Sequence, residues 1–120
     1  MKAVSIRQPW AWAIIHGGKD IENRAWATRS RGPLLIHAGK NMRLSAFGEL
    51  CSYLNEEAIE PPKRSQLLFG GIVGIVELVD CVEDHSSPWF DGPVGWVLKN
   101  PRALNFHACK GQLGLFDAMF

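Results

Sequence analysis

No stretch of this 120-residue sequence is long and apolar enough to cross a bilayer as a helix. The longest apolar run, Leu67 to Val76, is broken by Gly70, Gly71 and Gly74 and stops at Glu77, well short of the roughly 20 residues a spanning helix needs. No apolar segment follows Met1 either: Lys2-Ala3-Val4-Ser5 leads directly to Arg7-Gln8-Pro9, which is not the pattern of a secretory leader. Cysteine is scarce, and Cys51, Cys81 and Cys109 are an odd count without framework spacing. That excludes a disulfide scaffold and makes a reducing, cytoplasmic setting the expectation. Internal repeats, low-complexity tracts and linkers are absent, leaving one domain over residues 1–120, enough chain for a single core.

Several chemistries are missing as well. "HGGKDI" places Lys19 after a double glycine, but no glycine stands five residues before Gly18 and no Ser or Thr follows Lys19, so this is not a phosphate loop. The glycines of "GGIVGIVE" fall inside an apparent strand rather than after one, which excludes a dinucleotide fingerprint. Cys81 with His85, and His107 with Cys109, match no strong zinc spacing. No metal or cofactor is expected, and a Cys–His nucleophile pair among these residues has nothing in the sequence to orient it.

What is present is an uneven charge. The net charge is +1, yet through Arg43 there are eight bases (Lys2, Arg7, Lys19, Arg24, Arg29, Arg31, Lys40, Arg43) against Asp20 and Glu22 alone, giving +6. The remainder sums to −5. A basic half joined to an acidic half points to an anionic partner, nucleic acid being the commonest.

Periodicity supplies the elements. Ala3 to Arg7 alternates as a strand with Val4 and Ile6 inward. Pro9 suits a helix start and Gly17-Gly18 its stop, so Trp10–His16 is a short helix with Trp10, Ala13 and Ile14 on one face. Asp20 to Trp26 is a second strand, with Glu22, Arg24 and Trp26 on one side and Lys19 in the turn before it. Arg29 to Pro33 is a basic loop, and Leu34 to Ala38 a strand closing on Gly39. Leu44, Phe47, Leu50, Cys51 and Leu54 have helical spacing behind Asn41 as N-cap. Glu56 to Gln66 is a polar connection. Gly71 to Val82 is a strand bent at Gly74, Val94 to Lys99 another, and Leu113 to Phe116 a last one. The pattern is a small α+β protein with a partly closed barrel.

The stretch "GGKDIENRAW" gathers Lys19, Glu22, Arg24 and Trp26 beside a double glycine. A turn lysine desolvated by Trp10 or Trp26 has a depressed pKa and can act as a base. Glu22 then orients it, polarises water or accepts hydrogen bonds from a base edge. The alternative is a structural ion pair between Glu22 and Arg24 along the strand rim, which adds little stability.

"SIRQPWAWAIIHGGKDIENRAW", followed by "RGPLLIHAGK" and later "GGIVGIVELVDCV", closely resembles the ASCH (activating-signal-cointegrator homology) family of the PUA-like superfamily. The family pattern G-x-K-x-x-E-x-R falls on Gly17, Lys19, Glu22 and Arg24. The resemblance implies a PUA-like β-barrel with two or three helices around it, a cleft at the barrel mouth, and RNA or nucleotide binding. It also implies a second option, since some small relatives hydrolyse N4-acetylcytidine or cut RNA. In those amidohydrolases the motif lysine is catalytic, a threonine stands three residues later, and a carboxylate comes from farther along the chain. Here Lys19 matches, Glu22 occupies the threonine position, and Glu83 or Asp84 would be the carboxylate.

In that light Lys19 and Arg24 are cleft cations for phosphate or a base carbonyl, joined by Arg7 and Lys40. Arg29 and Arg31 are phosphate contacts. Trp26 is a stacking platform or rim packing, while Trp10 and Trp96 suit core positions. Ser5 and Gln8 supply neutral hydrogen bonds, and His37 is a minor candidate. Two function classes follow: an RNA- or nucleotide-binding module, and a metal-independent amidohydrolase or ribonuclease with Lys19 as base and Glu22 as its partner. A protein–protein adaptor reusing the fold is the third. No membrane partner is expected.

Overall fold

The computed structural model describes residues 1–120. Strand β1 (Lys2–Gln8) leads into helix α1 (Trp10–His16), followed by β2 (Ile21–Arg24), β3 (Gly32–Met42) and helix α2 (Leu44–Glu56). A single 3-10 turn at Arg64–Gln66 precedes β4 (Gly71–Val82), β5 (Val94–Ala108) and β6 (Leu115–Asp117). The strands form one six-stranded mixed sheet in the order β2-β5-β4-β3-β1-β6. Only β1 and β3 run parallel, their crossover carrying α1 and β2.

Alternation along the strands sorts two apolar sets. Val4 and Ile6 of β1, Leu34, Ile36 and Ala38 of β3, Val76 and Leu78 of β4, and Trp96 and Leu98 of β5 form the main core with Ala11, Ile14 and Ile15 of α1. The other face carries a smaller cluster of Ala3, Leu35, Ile72 and Phe116. The inward reading of Val4 and Ile6 therefore holds. Helix α1 is buried more widely than one face, because Ile14 meets the sheet while Ala13 packs on Leu50 and Leu54 of α2.

No backbone ladder joins the edge strands β2 and β6, so the sheet is open. It curls enough for Arg24 on β2 to donate through Nη2 to the Ser5 carbonyl on β1 at 3.1 Å, across three intervening strands. The implied barrel is met as a curled six-stranded sheet rather than a hydrogen-bonded cylinder.

Several boundaries differ from the sequence reading, each because pairing overrides local preference. β3 runs on to Met42, held by Gln8 opposite Met42, so Asn41 is a strand residue. Arg43 takes the N-cap position of α2 without a side-chain capping bond. β5 continues past Lys99 because the first half of β4 needs a partner, with Gly71 opposite Ala108. Pro101 is tolerated there since β2 covers β5 only from Val94 to Val97. β2 ends at Arg24, leaving Trp26 in the following bend.

The turn after α1 sets up the site. The Ala13 carbonyl accepts from the N–H groups of both Gly17 (2.9 Å) and Lys19 (3.0 Å). A Cβ on Gly17 would lie 3.0 Å from the Trp12 ring, and Gly18 has φ +78. Both positions favour glycine for that reason, and together they fold the chain back so that Lys19 points inward.

Candidate functional site

Lys19 is almost fully buried, at 6% exposure, which is rare for a lysine. Its ammonium donates to the Ile21 carbonyl and lies 5.5 Å from the centroid of Trp89 and 6.0 Å from that of Trp10. Burial holds its pKa below the ordinary lysine range, against the opposing pull of Glu22, Asp20 and Asp91. Glu22 is the mirror case: burial raises its pKa, against the pull of Lys19 and Arg24.

These side chains line a cavity of about 510 Å³, a size suited to a small ligand. Its walls are Trp10 of α1, Glu49, Leu50 and Tyr53 of α2, and Pro88, Trp89 and Asp91 of the loop between β4 and β5. Tyr53 packs on Trp89 with ring centroids 4.4 Å apart. Desolvation, reinforced by Glu57 and Asp20, raises the phenol pKa, which keeps Tyr53 a neutral donor. One lysine faces three carboxylates here, so the cavity is aromatic and acidic.

Asn23, an unremarked position inside the motif, holds the loop wall. Its amide donates to the Trp89 carbonyl (3.0 Å) and accepts from the N–H groups of Asp91 (2.9 Å) and Gly92 (3.0 Å). Ser87 adds a bond to Asp20. Together they fasten the segment that carries Trp89 and Asp91 to β2 and the turn before it.

Arg24 faces the other way. It lines a second cavity, of about 590 Å³, with Ser5, Arg7, His37, Lys40 and the loop from Cys109 to Gly114. Four cations and no carboxylate line that space. The two cavities meet at the Glu22–Arg24 pair, Nε to Oε2 3.1 Å, with both side chains largely buried (13% and 23% exposed). The contact is an ion pair without the alignment of a full hydrogen bond. The arginine also lies 5.6 Å over the Trp96 ring. The motif thus serves two adjacent sites, Lys19 and Glu22 in one and Arg24 in the other. The sequence reading put all of them in a single cleft.

The remaining candidates divide clearly. Arg7 and Lys40 join Arg24 in the basic cavity. Ser5 lines it too, but its hydroxyl is engaged with His37 Nδ1 at 2.9 Å, while His37 Nε2 meets the Cys109 carbonyl at 2.8 Å. A carbonyl only accepts, so Nε2 carries the hydrogen, and Nδ1 is the ring nitrogen paired with the Ser5 hydroxyl. Gln8 is buried and uses both ends of its amide on Leu68 and Trp12, bracing α1 rather than facing either cavity. Arg31 is bound to the Thr28 and Ser30 carbonyls and lies 3.8 Å from Asp80. Neither it nor Arg29 lines either cavity. Trp26, 45% exposed, stacks edge-on against Trp96 and stands over Gly114 at the rim of the basic cavity. Trp96 is core, as expected, and Trp10, half-buried, packs against two core clusters while also walling the first cavity.

Glu83 and Asp84 line neither cavity. The carboxylates brought to Lys19 from afar are Glu49 and Asp91. Sequence reasoning also passed over Trp89, Tyr53 and Lys110. The one available signal was a tryptophan in the turn-rich "SSPWFDGP". Cys81 pairs opposite Trp96 and His107 opposite Ile72, at opposite ends of the β4–β5 hairpin, so these residues do not converge.

The buried pair makes stability depend on pH. Folded Glu22 retains its proton to higher pH than the unfolded chain does, so stability falls as pH rises from the ordinary carboxylate range through its raised value. Folded Lys19 loses its proton earlier than the unfolded chain, so stability climbs again as pH rises through its lowered value toward the ordinary lysine range. A pH series of thermal unfolding should show the acid-side decline diminished in Glu22→Gln. An unchanged acid limb would show that Glu22 does not carry it.

Residues 4–105 match the family model for the ASCH domain. Human activating signal cointegrator 1 is 28% identical over 113 residues, and the mouse protein of the same name 31% over 113. In each case the match covers 84% of this chain and 19% of the relative, so the chain spans about a fifth of the proteins it resembles. The chain belongs to the ASCH domain family.

Proposed function

We propose that this ASCH domain is a binding module for single-stranded RNA or a nucleotide, acting in the cytoplasm, with a base in the aromatic cavity and phosphate in the basic one. The observation that carries this reading is the contrast between two adjoining cavities. One is lined by Trp10, Trp89 and Tyr53 with Lys19 and Glu22, the other by Arg7, Arg24, Lys40 and Lys110. A splayed base needs an aromatic surface and hydrogen-bonding groups for its edge, which Lys19, Glu22 and Asp91 supply. Its phosphate needs cations and no competing carboxylate. Trp26 at the rim is placed for a neighbouring base.

Titration of a fluorescent single-stranded RNA over a salt series tests this. Binding should weaken with salt, and each of Arg7, Lys40 and Lys110 changed to alanine should lower the log–log salt slope by about 0.7. Salt-independent binding, or slopes unaffected by these changes, would overturn it.

The second reading, hydrolysis of a modified nucleoside or of RNA, is favoured by one feature: a buried lysine with a lowered pKa beside carboxylates, the environment of a general base. Glu22 stands where the amidohydrolases have threonine, and Asp91 or Glu49, rather than Glu83 or Asp84, is the carboxylate within reach. The same RNA run on a denaturing gel tests for cleavage, and incubation with N4-acetylcytidine, read by release of acetate, tests for deacetylation; a domain that only binds gives neither product.

A further inference from the structure

The basic cavity holds more positive charge than the phosphate of a continuous strand requires. Arg7 comes from β1, Arg24 from β2, Lys40 from β3 and Lys110 from the loop before β6. Four separate segments therefore bring one cation each to a single cavity without a lining carboxylate. Arg24 is fixed in place by Glu22 and the Ser5 carbonyl, and its Nη1 makes no hydrogen bond within the protein. Arg24 has Glu22 as its partner, but Arg7, Lys40 and Lys110 have no carboxylate within salt-bridge distance, so an anion in the space would relieve their mutual repulsion.

The loop adds an independent sign. The backbone N–H groups of Lys110, Gly111, Gln112, Leu113 and Gly114 donate to no acceptor in the protein, although Cys109 before them is bonded to the Gly70 carbonyl. Gly114 has φ +67. A Cβ at Gly111 would sit 2.8 Å from both Ser5 Oγ and His37 Cε1, so glycine alone lets this loop close onto the cavity's back wall. Consecutive unpaired N–H groups in a glycine turn form the kind of concavity that takes anions.

We propose that this cavity is a site for a phosphate monoester, so that the domain recognises a phosphorylated end of a strand rather than an internal position. A diester within a chain carries one negative charge. A monoester carries about −1.5 to −2 near neutral pH and three strong acceptor oxygens, which suits four cations and a row of backbone donors. This inference rests on the nucleic-acid reading and narrows it.

The test uses the intact chain and one short single-stranded RNA sequence in three forms: 5′-phosphorylated, 3′-phosphorylated, and hydroxyl at both ends. At moderate salt, one phosphorylated form should bind at least tenfold more tightly than the hydroxyl form, and which one does so identifies the end. Arg7 and Lys110 are exposed, so Arg7→Ala/Lys110→Ala should keep the fold and erase the preference. Equal binding of all three forms overturns the end-recognition proposal and leaves the RNA reading standing. A preference that persists in the double variant overturns this location. No binding of any form overturns both.

Discussion

Lys19→Met should weaken ligand binding at least thirtyfold while leaving the unfolding temperature close to that of the wild type. The two effects part because the ammonium is expensive to keep where it is. It is buried beside two tryptophans, and burial lowers its pKa. Removing it relieves a desolvation cost but also takes from Glu22 one of the two cations that oppose its own burial. Arg24 remains 3.1 Å from Glu22, so the net change in stability should be within about 1 kcal/mol. A ligand has no substitute for the lost donor. Truncating one partner of a buried, hydrogen-bonded charge pair costs roughly 2–5 kcal/mol of binding, and the lower end of that range is about thirtyfold. If the domain is an enzyme, product formation from RNA or N4-acetylcytidine should vanish in Lys19→Met even where binding is measurable. Parallel titration and thermal unfolding decide the matter. Unaltered binding would remove Lys19 from the site, and a large fall in unfolding temperature would make it a structural residue.

Gly74→Val should destabilise the fold by about 3 kcal/mol or more, the upper part of the range for overpacking a core. Gly74 lies on β4 directly beneath α1. A Cβ there would meet the Ile15 side chain and come within 2.7 Å of the Arg102 carbonyl oxygen. Ile15 can move only by disturbing the main core, and the Arg102 oxygen belongs to the neighbouring strand. For a domain of this size the fall in unfolding temperature should be roughly 10 °C. Ile15→Ala in the same chain should recover part of the loss, because it relieves the helix contact and leaves the strand contact. A Gly74→Val protein that unfolds with the wild type would show that β4 and α1 are not packed this closely.

Much of the architecture was legible in the sequence because the signals are local. The alternation of Val4 and Ile6, the span from Trp10 to His16 closed by Gly17-Gly18, and the helical spacing of Leu50 and Leu54 each report burial directly. The family was legible from resemblance, and the match of residues 4–105 to the ASCH domain model bears that out. Strand ends were misplaced where long-range pairing decides them, as at Asn41 and beyond Lys99. An N-cap preference of about 1 kcal/mol does not outweigh an extended ladder.

The sequence by itself determined that a lysine, a glutamate and an arginine share one short segment, with glycines turning the chain just before it. Only the tertiary structure decided that these residues serve two cavities. Periodicity placed Glu22 and Arg24 on the same side of β2, but cannot say what stands opposite each. Glu22 faces Lys19 and the wall built by α2 and by the Trp89 loop, the loop lying more than 60 residues away in the chain. Arg24 reaches over the curled sheet to Ser5 and the Lys110 loop. A cavity is made by segments distant in sequence, and which charges share it is set by how the sheet bends and which loops it brings together.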